Sequence, residues 1–243
     1  MSRLVQRYGE KHPTAANRLL ASVRACLQAA WRLDKIPSNP AMKVRPFREN
    51  PPRQRTLSDE ELQRVLKALA EWPDAHERAA FTLLIETGAR LSEVLRARWA
   101  DVDLEASEWR IPSLKAGHPQ LVPLAGSTVA MLRRQPRLGA LVIPGRGHMD
   151  KPRYDLKSAW EALRAAAGVP DVHVHDLRRS FGLRVARAAG LHVASKLLRH
   201  SDIRVTEAVY APLGIDELRK ATEQQATNRA KVLKMRLPKK RAT

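Results

Sequence analysis

The chain has 243 residues, 44% of them apolar, with 44 lysines and arginines against 25 aspartates and glutamates, a formal net charge of +19. That apolar content is enough for a core and excludes global disorder, and the length suits one large domain or two small ones. The cationic excess points away from small-molecule chemistry and towards a polyanionic partner, with nucleic acid the first candidate.

One cysteine, Cys26, excludes an internal disulfide, and no Cys/His set has zinc-ligand spacing. Cys26 falls on the apolar face of a helical pattern and is expected to pack in a core. No apolar run is long enough to span a membrane, and the N-terminus lacks the apolar stretch of a signal peptide, so the expectation is a cytoplasmic protein.

Taken in chain order, Thr14 is expected to cap a helix running to about Asp34, with Leu19, Leu20, Val23, Cys26, Leu27, Ala30 and Trp31 as its apolar stripe. Ile36-Pro37-Ser38-Asn39-Pro40 stops it. Residues 45–56 form an expected basic linker, rich in proline and arginine. Arg45, Arg48, Arg53 and Arg55 there either lie along a phosphate backbone or are simply solvated. Ser58-Asp-Glu-Glu61 is a capping box that opens a helix with Leu62, Val65, Leu66 and Leu69 on one face. A second helix spans about His76 to Glu86, Thr87-Gly88 breaks it, and Ser92-Glu93 begins another. Residues 108–124 read as a hairpin around a turn at Lys115. Helical patterns follow at 128–134, 154–167, 176–189, 191–199 and 203–210. Residues 216–235 are helix-compatible, ending in the basic tail Lys239-Lys240-Arg241. The expected class is mainly α with a small antiparallel sheet (α+β), and there is no internal repeat. The domains are expected at 1–44 (short, helical), 57–215 (the larger unit) and 216–243 (helix and tail).

The chemistry lies in an ordered set: Arg90, Lys115, His175, Arg178, His200 and Tyr210. Cleaving a phosphodiester with a side-chain nucleophile requires that the nucleophile lose a proton, that the phosphoryl oxygens be stabilised, and that the leaving oxygen gain a proton. A pair of guanidiniums offers fixed donors to two phosphoryl oxygens and never loses its charge, so it can stand in for a divalent metal. A phenol has a pKa of about 10, so cationic neighbours must favour its phenolate. An ammonium can protonate a departing alkoxide. On a helix starting near Asp176, His175 and Arg178 are one turn apart and can meet one phosphate, while Arg179 points elsewhere, towards the surface or a DNA backbone. Leu177, Phe181 and Val185 would anchor that helix.

In these local contexts the set resembles the tyrosine recombinases, the phage-integrase family. Thr87-Gly88-Ala89-Arg90-Leu91-Ser92-Glu93 resembles the first arginine box, and His175-Asp176-Leu177-Arg178-Arg179-Ser180-Phe181 the second. The resemblance implies Arg90 and Arg178 as phosphate ligands, Lys115 as proton donor to the 5′-oxygen, His175 as acid/base, His200 as a further phosphate contact, and Tyr210 as nucleophile. Glu93 and Asp176 would be supports. Residues 14–41, with Asn17-Arg18 and Asn39-Pro40-Ala41, resemble the last part of a core-binding domain, here expected in shortened form. The family usually carries Leu-Gly-His where this chain has Leu198-Arg199-His200, which puts the bulk and charge of Arg199 close to the expected phosphate.

The implied activity is site-specific cleavage and rejoining of double-stranded DNA through a 3′-phosphotyrosyl link, in integration or excision of a mobile element. It would need no ATP, metal or other cofactor. Four protomers would act on two duplexes, with a monomer in isolation and DNA-bending accessory proteins as further expectations. Residues 216–235 would dock on a neighbour, pack on their own domain or form a disordered tail. A type IB topoisomerase and a DNA-binding relative that does not cleave are the competing readings.

Overall fold

A computed structural model describes residues 7–51, 53–112 and 119–199. The chain divides into two compact units, residues 1–53 and 54–243.

In the first unit, helix α1 (Pro13–Arg32) starts on a proline. Pro13 lacks the N–H that a first-turn residue leaves unbonded anyway. His12 therefore holds the N-cap position without a side-chain cap, and Thr14 lies inside the helix rather than capping it. Two asparagines hold the segment after α1 against that helix. The Asn17 side chain donates to the Phe47 carbonyl (2.9 Å) and to Glu49 Oε1 (2.8 Å), and accepts from the Phe47 N–H (2.8 Å). Asn39 caps the 3-10 turn Pro40–Lys43 by accepting from the Ala41 N–H (3.1 Å), and its amide donates to the Arg24 carbonyl (3.1 Å). Arg24 Nε donates to the Ala41 carbonyl (3.0 Å). These contacts cover the side of α1 that carries buried Ala16 and Leu20. Cys26 is exposed, against the expectation of a core position. It sits roughly 120° round the helix from Leu20, and Leu19 and Trp31 are exposed too.

Near the start of the second unit is Arg55, whose guanidinium forks onto Glu61 (2.6 and 2.8 Å) and also donates from Nε to Asp171 (2.8 Å). Helix α2 (Asp59–Ala70) opens on the full Ser58–Glu61 capping box, a pair of bonds typically stabilising by about 1 kcal/mol. Val65 and Leu69 are buried, whereas Leu66 remains 38% exposed. Helix α3 (Ala75–Thr87) is capped by Asp74, whose side chain accepts from the His76 and Glu77 N–H groups. It ends at Gly88 in the left-handed region, φ 60°. Helix α4 (Leu91–Leu95) starts soon after it.

A three-stranded antiparallel sheet comes next, β1 (Val102–Asp103), β2 (Glu108–Ile111) and β3 (Gln120–Pro123), in the order β1-β2-β3. Trp109 pairs with Val122, and Trp109, Ile111 and Val122 face the core while Arg110 and Leu121 face out. That period-two alternation is what makes the hairpin readable from sequence. Helix α5 (Gly126–Arg134) lies beyond it. A second antiparallel hairpin, β4 (Pro144–Gly145) with β5 (His148–Pro152), was not expected, because every β5 residue is exposed and no apolar alternation marks it. It is held by charge: buried Glu77 accepts from Arg153 (2.7 Å), Arg146 (2.6 Å) and Trp72 Nε1 (2.8 Å). Opening such a buried pair from one side typically costs about 3–5 kcal/mol.

Helices α6 (Lys157–Ala166), α7 (Val174–Ala189) and α8 (Leu191–Leu198) complete the described unit. The main core gathers Phe81, Leu84, Ile85, Trp109, Leu132, Ile143, Leu163 and Leu177. Phe81 meets Trp160 with ring centroids 5.5 Å apart, and Trp160 Nε1 donates to the Val172 carbonyl (2.9 Å). Burial of a side chain the size of Phe81 is worth about 2–3 kcal/mol. A smaller cluster of Ala186, Ala194 and Leu198, with Phe181 and Val185 against it, joins α7 to α8. The helix therefore is anchored through Leu177 in one core and through Phe181 and Val185 in the other.

Gly88 is constrained twice, by its positive φ and by a close approach, since a Cβ built there would lie 2.4 Å from Phe181 Cδ1. Gly147 also has positive φ (73°) but nothing within 4 Å. The expected result is that Gly88→Ala lowers the unfolding free energy by about 2 kcal/mol or more, while Gly147→Ala costs about 1 kcal/mol. Urea denaturation of both variants checks this, and equal losses would contradict the close-packing argument.

Candidate active site

The turn between α3 and α4 is built from its own side chains. Thr87 Oγ1 donates to the Leu83 carbonyl (2.5 Å) and accepts from the Ala89 N–H (3.2 Å). Arg90 is the N-cap of α4, and Glu93, one turn on, reaches back to accept from the Arg90 N–H (2.8 Å). Glu93 Oε1 also accepts from Arg90 Nη1 (2.8 Å). The Arg90 side chain stays 49% exposed while that of Glu93 is 15% exposed. Burial works to raise the Glu93 carboxyl, but the Arg90 N–H and the Arg199 and Arg90 guanidiniums outweigh it and hold it below the usual carboxylate range.

Helix α7 supplies the second group of side chains. Its start is fixed by Asp176, fully buried, which accepts from the His173 N–H (2.9 Å) and from Arg179 Nη1 (2.7 Å). Ser180 Oγ donates to the Asp176 carbonyl (2.7 Å) and accepts from the Leu57 N–H (2.8 Å), so the start of the second unit is tied to this helix. Arg178 is 5% exposed. Its Nη1 donates to the Gly88 carbonyl (2.5 Å) and its Nη2 to the Leu198 carbonyl. Arg178 thus sits against the turn that presents Arg90. His175, one helical turn before Arg178, is at the surface. Desolvation, then Arg179, Arg178 and Arg90, push its imidazole below the ordinary value, against an opposing pull from Asp176. Arg90, His175 and Arg178 therefore share one local field although 90 residues of sequence separate Gly88 from Arg178.

Three arginines among the candidates for DNA contact, Arg55, Arg179 and Arg199, are turned to other work. Arg55 clamps Glu61 and Asp171. Arg179 turns to buried Asp176, leaving its side chain 20% exposed. Arg199 is buried against Glu93 at 2.6 Å, its side chain 3% exposed. In each case a nearby carboxylate offers a partner that a sequence pattern cannot place. Arg45, Arg48 and Arg53 are exposed. Lys115, His200 and Tyr210 lie outside the described residues. Among the described residues there is no group of three or more His, Cys, Asp or Glu side chains placed to hold a metal, and no helix long and apolar enough to cross a membrane.

A depressed His175 pKa has a definite sign. The native state binds that proton less readily than the unfolded chain, so the stability involved is fully present above about pH 6.5 and is lost as pH falls towards the lower native value. The expected NMR titration midpoint of His175 lies below about 6.5, and Arg179→Ala moves it upward by removing a nearby cation and releasing Asp176. A native midpoint above the ordinary value would contradict the geometry.

Residues 55–214 match the phage integrase family. The tyrosine recombinase XerC of Xanthomonas campestris pv. campestris (strain B100) is 29% identical over 217 residues, which cover 86% of this chain and 66% of that protein. XerA of Saccharolobus solfataricus is 30% identical over 171 residues, covering 68% of this chain and 54% of that one. The chain therefore spans two thirds or less of the length of these relatives. Among solved structures, the Tn1549 transposon integrase in complex with circular intermediate DNA superimposes with a TM-score of 0.72 at 17% identity, covering 91% of this chain and 83% of that one. A lambda integrase dimer bound to a COC′ core site gives 0.67 at 17%, covering 86% and 62%. At such identities these likenesses speak for the fold alone, and the sequence match over residues 55–214 shows that the chain belongs to the phage integrase family.

Proposed function

We propose that this chain is a tyrosine-type site-specific recombinase, which cleaves and rejoins double-stranded DNA in the integration or excision of a mobile element. The observation that carries the reading is the placement of Arg90, His175 and Arg178 around one turn, with Arg178 bonded to the Gly88 carbonyl. The net charge of +19 supports a polyanionic partner.

In this reading the Tyr210 oxygen attacks the scissile phosphorus, a 3′-phosphotyrosyl bond forms, and the bond to the 5′-oxygen breaks. Lys115 protonates that oxygen. Arg90 and Arg178 carry the charge on the non-bridging oxygens, with His200 as a third donor, which is electrostatic stabilisation of the kind that dominates phosphoryl transfer. His175, whose imidazole is pushed below its ordinary pKa by desolvation and by its cationic neighbours, accepts the phenol proton as Tyr210 attacks. Attack by the 5′-hydroxyl of a partner strand reverses the chemistry and releases Tyr210. Four protomers on two duplexes would supply that partner strand.

A second reading, a DNA-binding relative that does not cleave, is favoured by the burial of Arg178 on two carbonyls and by Arg199 beside the expected phosphate site. One experiment separates the two. Nicked duplexes from sequences flanking the gene are incubated with the protein in EDTA and resolved under denaturing conditions. A covalent protein–DNA adduct is expected, absent in Tyr210→Phe and reduced about 10²–10³-fold in rate in Arg90→Ala. Salt-sensitive binding with no adduct on any such duplex would favour the non-cleaving reading.

A further inference from the structure

The backbone at Arg199 has φ 57°, a left-handed conformation in which a side chain bearing a Cβ is sterically disfavoured and glycine is not. Arg199 keeps a long cationic side chain in that position and buries it. Its Nη2 donates to Glu93 Oε2 (2.6 Å) and its Nη1 to the Leu197 carbonyl (3.1 Å). Its buried Nε has no hydrogen-bond partner. Backbone strain, a buried charge and an unsatisfied donor all oppose folding, so the contact with Glu93 must serve something besides stability.

Glu93 shows what that is. Its Oε2 accepts from Arg199 and from the Arg90 N–H, leaving Oε1 as the atom that meets the Arg90 guanidinium, through Nη1 alone. An arginine and a carboxylate left to themselves favour a two-bond fork. Such a fork would draw the Arg90 guanidinium onto Glu93 and consume the paired donors that a phosphate requires. We propose that Arg199 is a positioning residue: by occupying Glu93 Oε2 it restricts Arg90 to a single side-chain bond and keeps the Arg90 guanidinium turned to receive a phosphate. The same side chain joins the end of α8 to the start of α4, where Arg178 already grips the Leu198 carbonyl. This rests on the reading of Arg90 as a phosphate ligand.

The test uses Arg199→Gly, which suits the backbone and leaves Glu93 paired with the Arg90 N–H and guanidinium, and urea denaturation establishes that the variant is folded before cleavage is read. Its single-turnover cleavage of a nicked duplex is expected to fall about tenfold, since small misorientations of a binding group have effects of this size. Arg199→Lys, which keeps a cation beside Glu93, recovers part of the loss. With Glu93→Gln already present, Arg199→Gly changes the rate by less than about twofold, because its route of action is gone. Parental cleavage rates in Arg199→Gly, or costs that multiply in the double variant, would overturn the proposal. A separate arm records the ¹⁵N side-chain resonances of Arg90 in the protein without DNA. These are expected to shift in Arg199→Gly, and an unchanged Arg90 signal overturns the positioning role even if the parent cleaves no duplex, the outcome that would count against the recombinase reading itself.

Discussion

The arrangement depends on one buried guanidinium. Arg178 comes from α7 and donates to the carbonyl at the end of α3, Gly88, and to the carbonyl at the end of α8, Leu198. The last carbonyls of a helix have no partner within it and carry the negative end of its dipole. A cation placed between two such ends satisfies both and is itself compensated, which is how an arginine can be only 5% exposed. Gly88 makes the meeting possible. Its left-handed φ turns the chain at the end of α3, and its missing Cβ leaves room for Phe181, one turn after Arg178 on α7.

Around that joint, charge is concentrated and then partitioned. Arg90, Arg178, Arg179 and Arg199 lie close to two carboxylates, Glu93 and Asp176. Each carboxylate also performs a local task, accepting a backbone N–H at the start of α4 or of α7. Fixing the carboxylates by backbone bonds leaves the excess positive charge on the arginines, and desolvation together with that charge makes the His175 proton less tightly held. A preorganised excess of donors in a partly desolvated place is what a transferring phosphoryl group requires, and it needs little rearrangement at the moment of reaction.

Most of the helical framework is legible in the sequence, because caps and breaks have local signatures. Ser58 with Glu61, Gly88 and Gly190 all mark helix ends, and the alternation of Trp109, Ile111 and Val122 exposes the β2–β3 hairpin. The β4–β5 hairpin is not legible because it is held by Glu77 and Asp74 at the start of α3, not by a core face of its own. Cys26 lies outside the core because a helical stripe does not say which part of it finds a partner. The order of Arg90, His175 and Arg178 points to the site, yet their roles in the fold depend on groups far along the chain: 90 residues for the Gly88 carbonyl and 106 for the Glu93–Arg199 pair. Arg199 is the sharpest example. The sequence places its charge close to the expected phosphate, and only the tertiary position of Glu93 turns it onto a carboxylate.

The central claim is that Arg90 and Arg178 together form a phosphate site. A crystal structure of the Tyr210→Phe protein on a duplex containing its cleavage site tests this most directly. The expected result is one backbone phosphate with non-bridging oxygens about 2.7–2.9 Å from nitrogens of both guanidiniums, His175 beside it, and Arg199 still on Glu93. A complex in which the DNA is bound but no phosphate oxygen reaches either Arg90 or Arg178 would contradict the account.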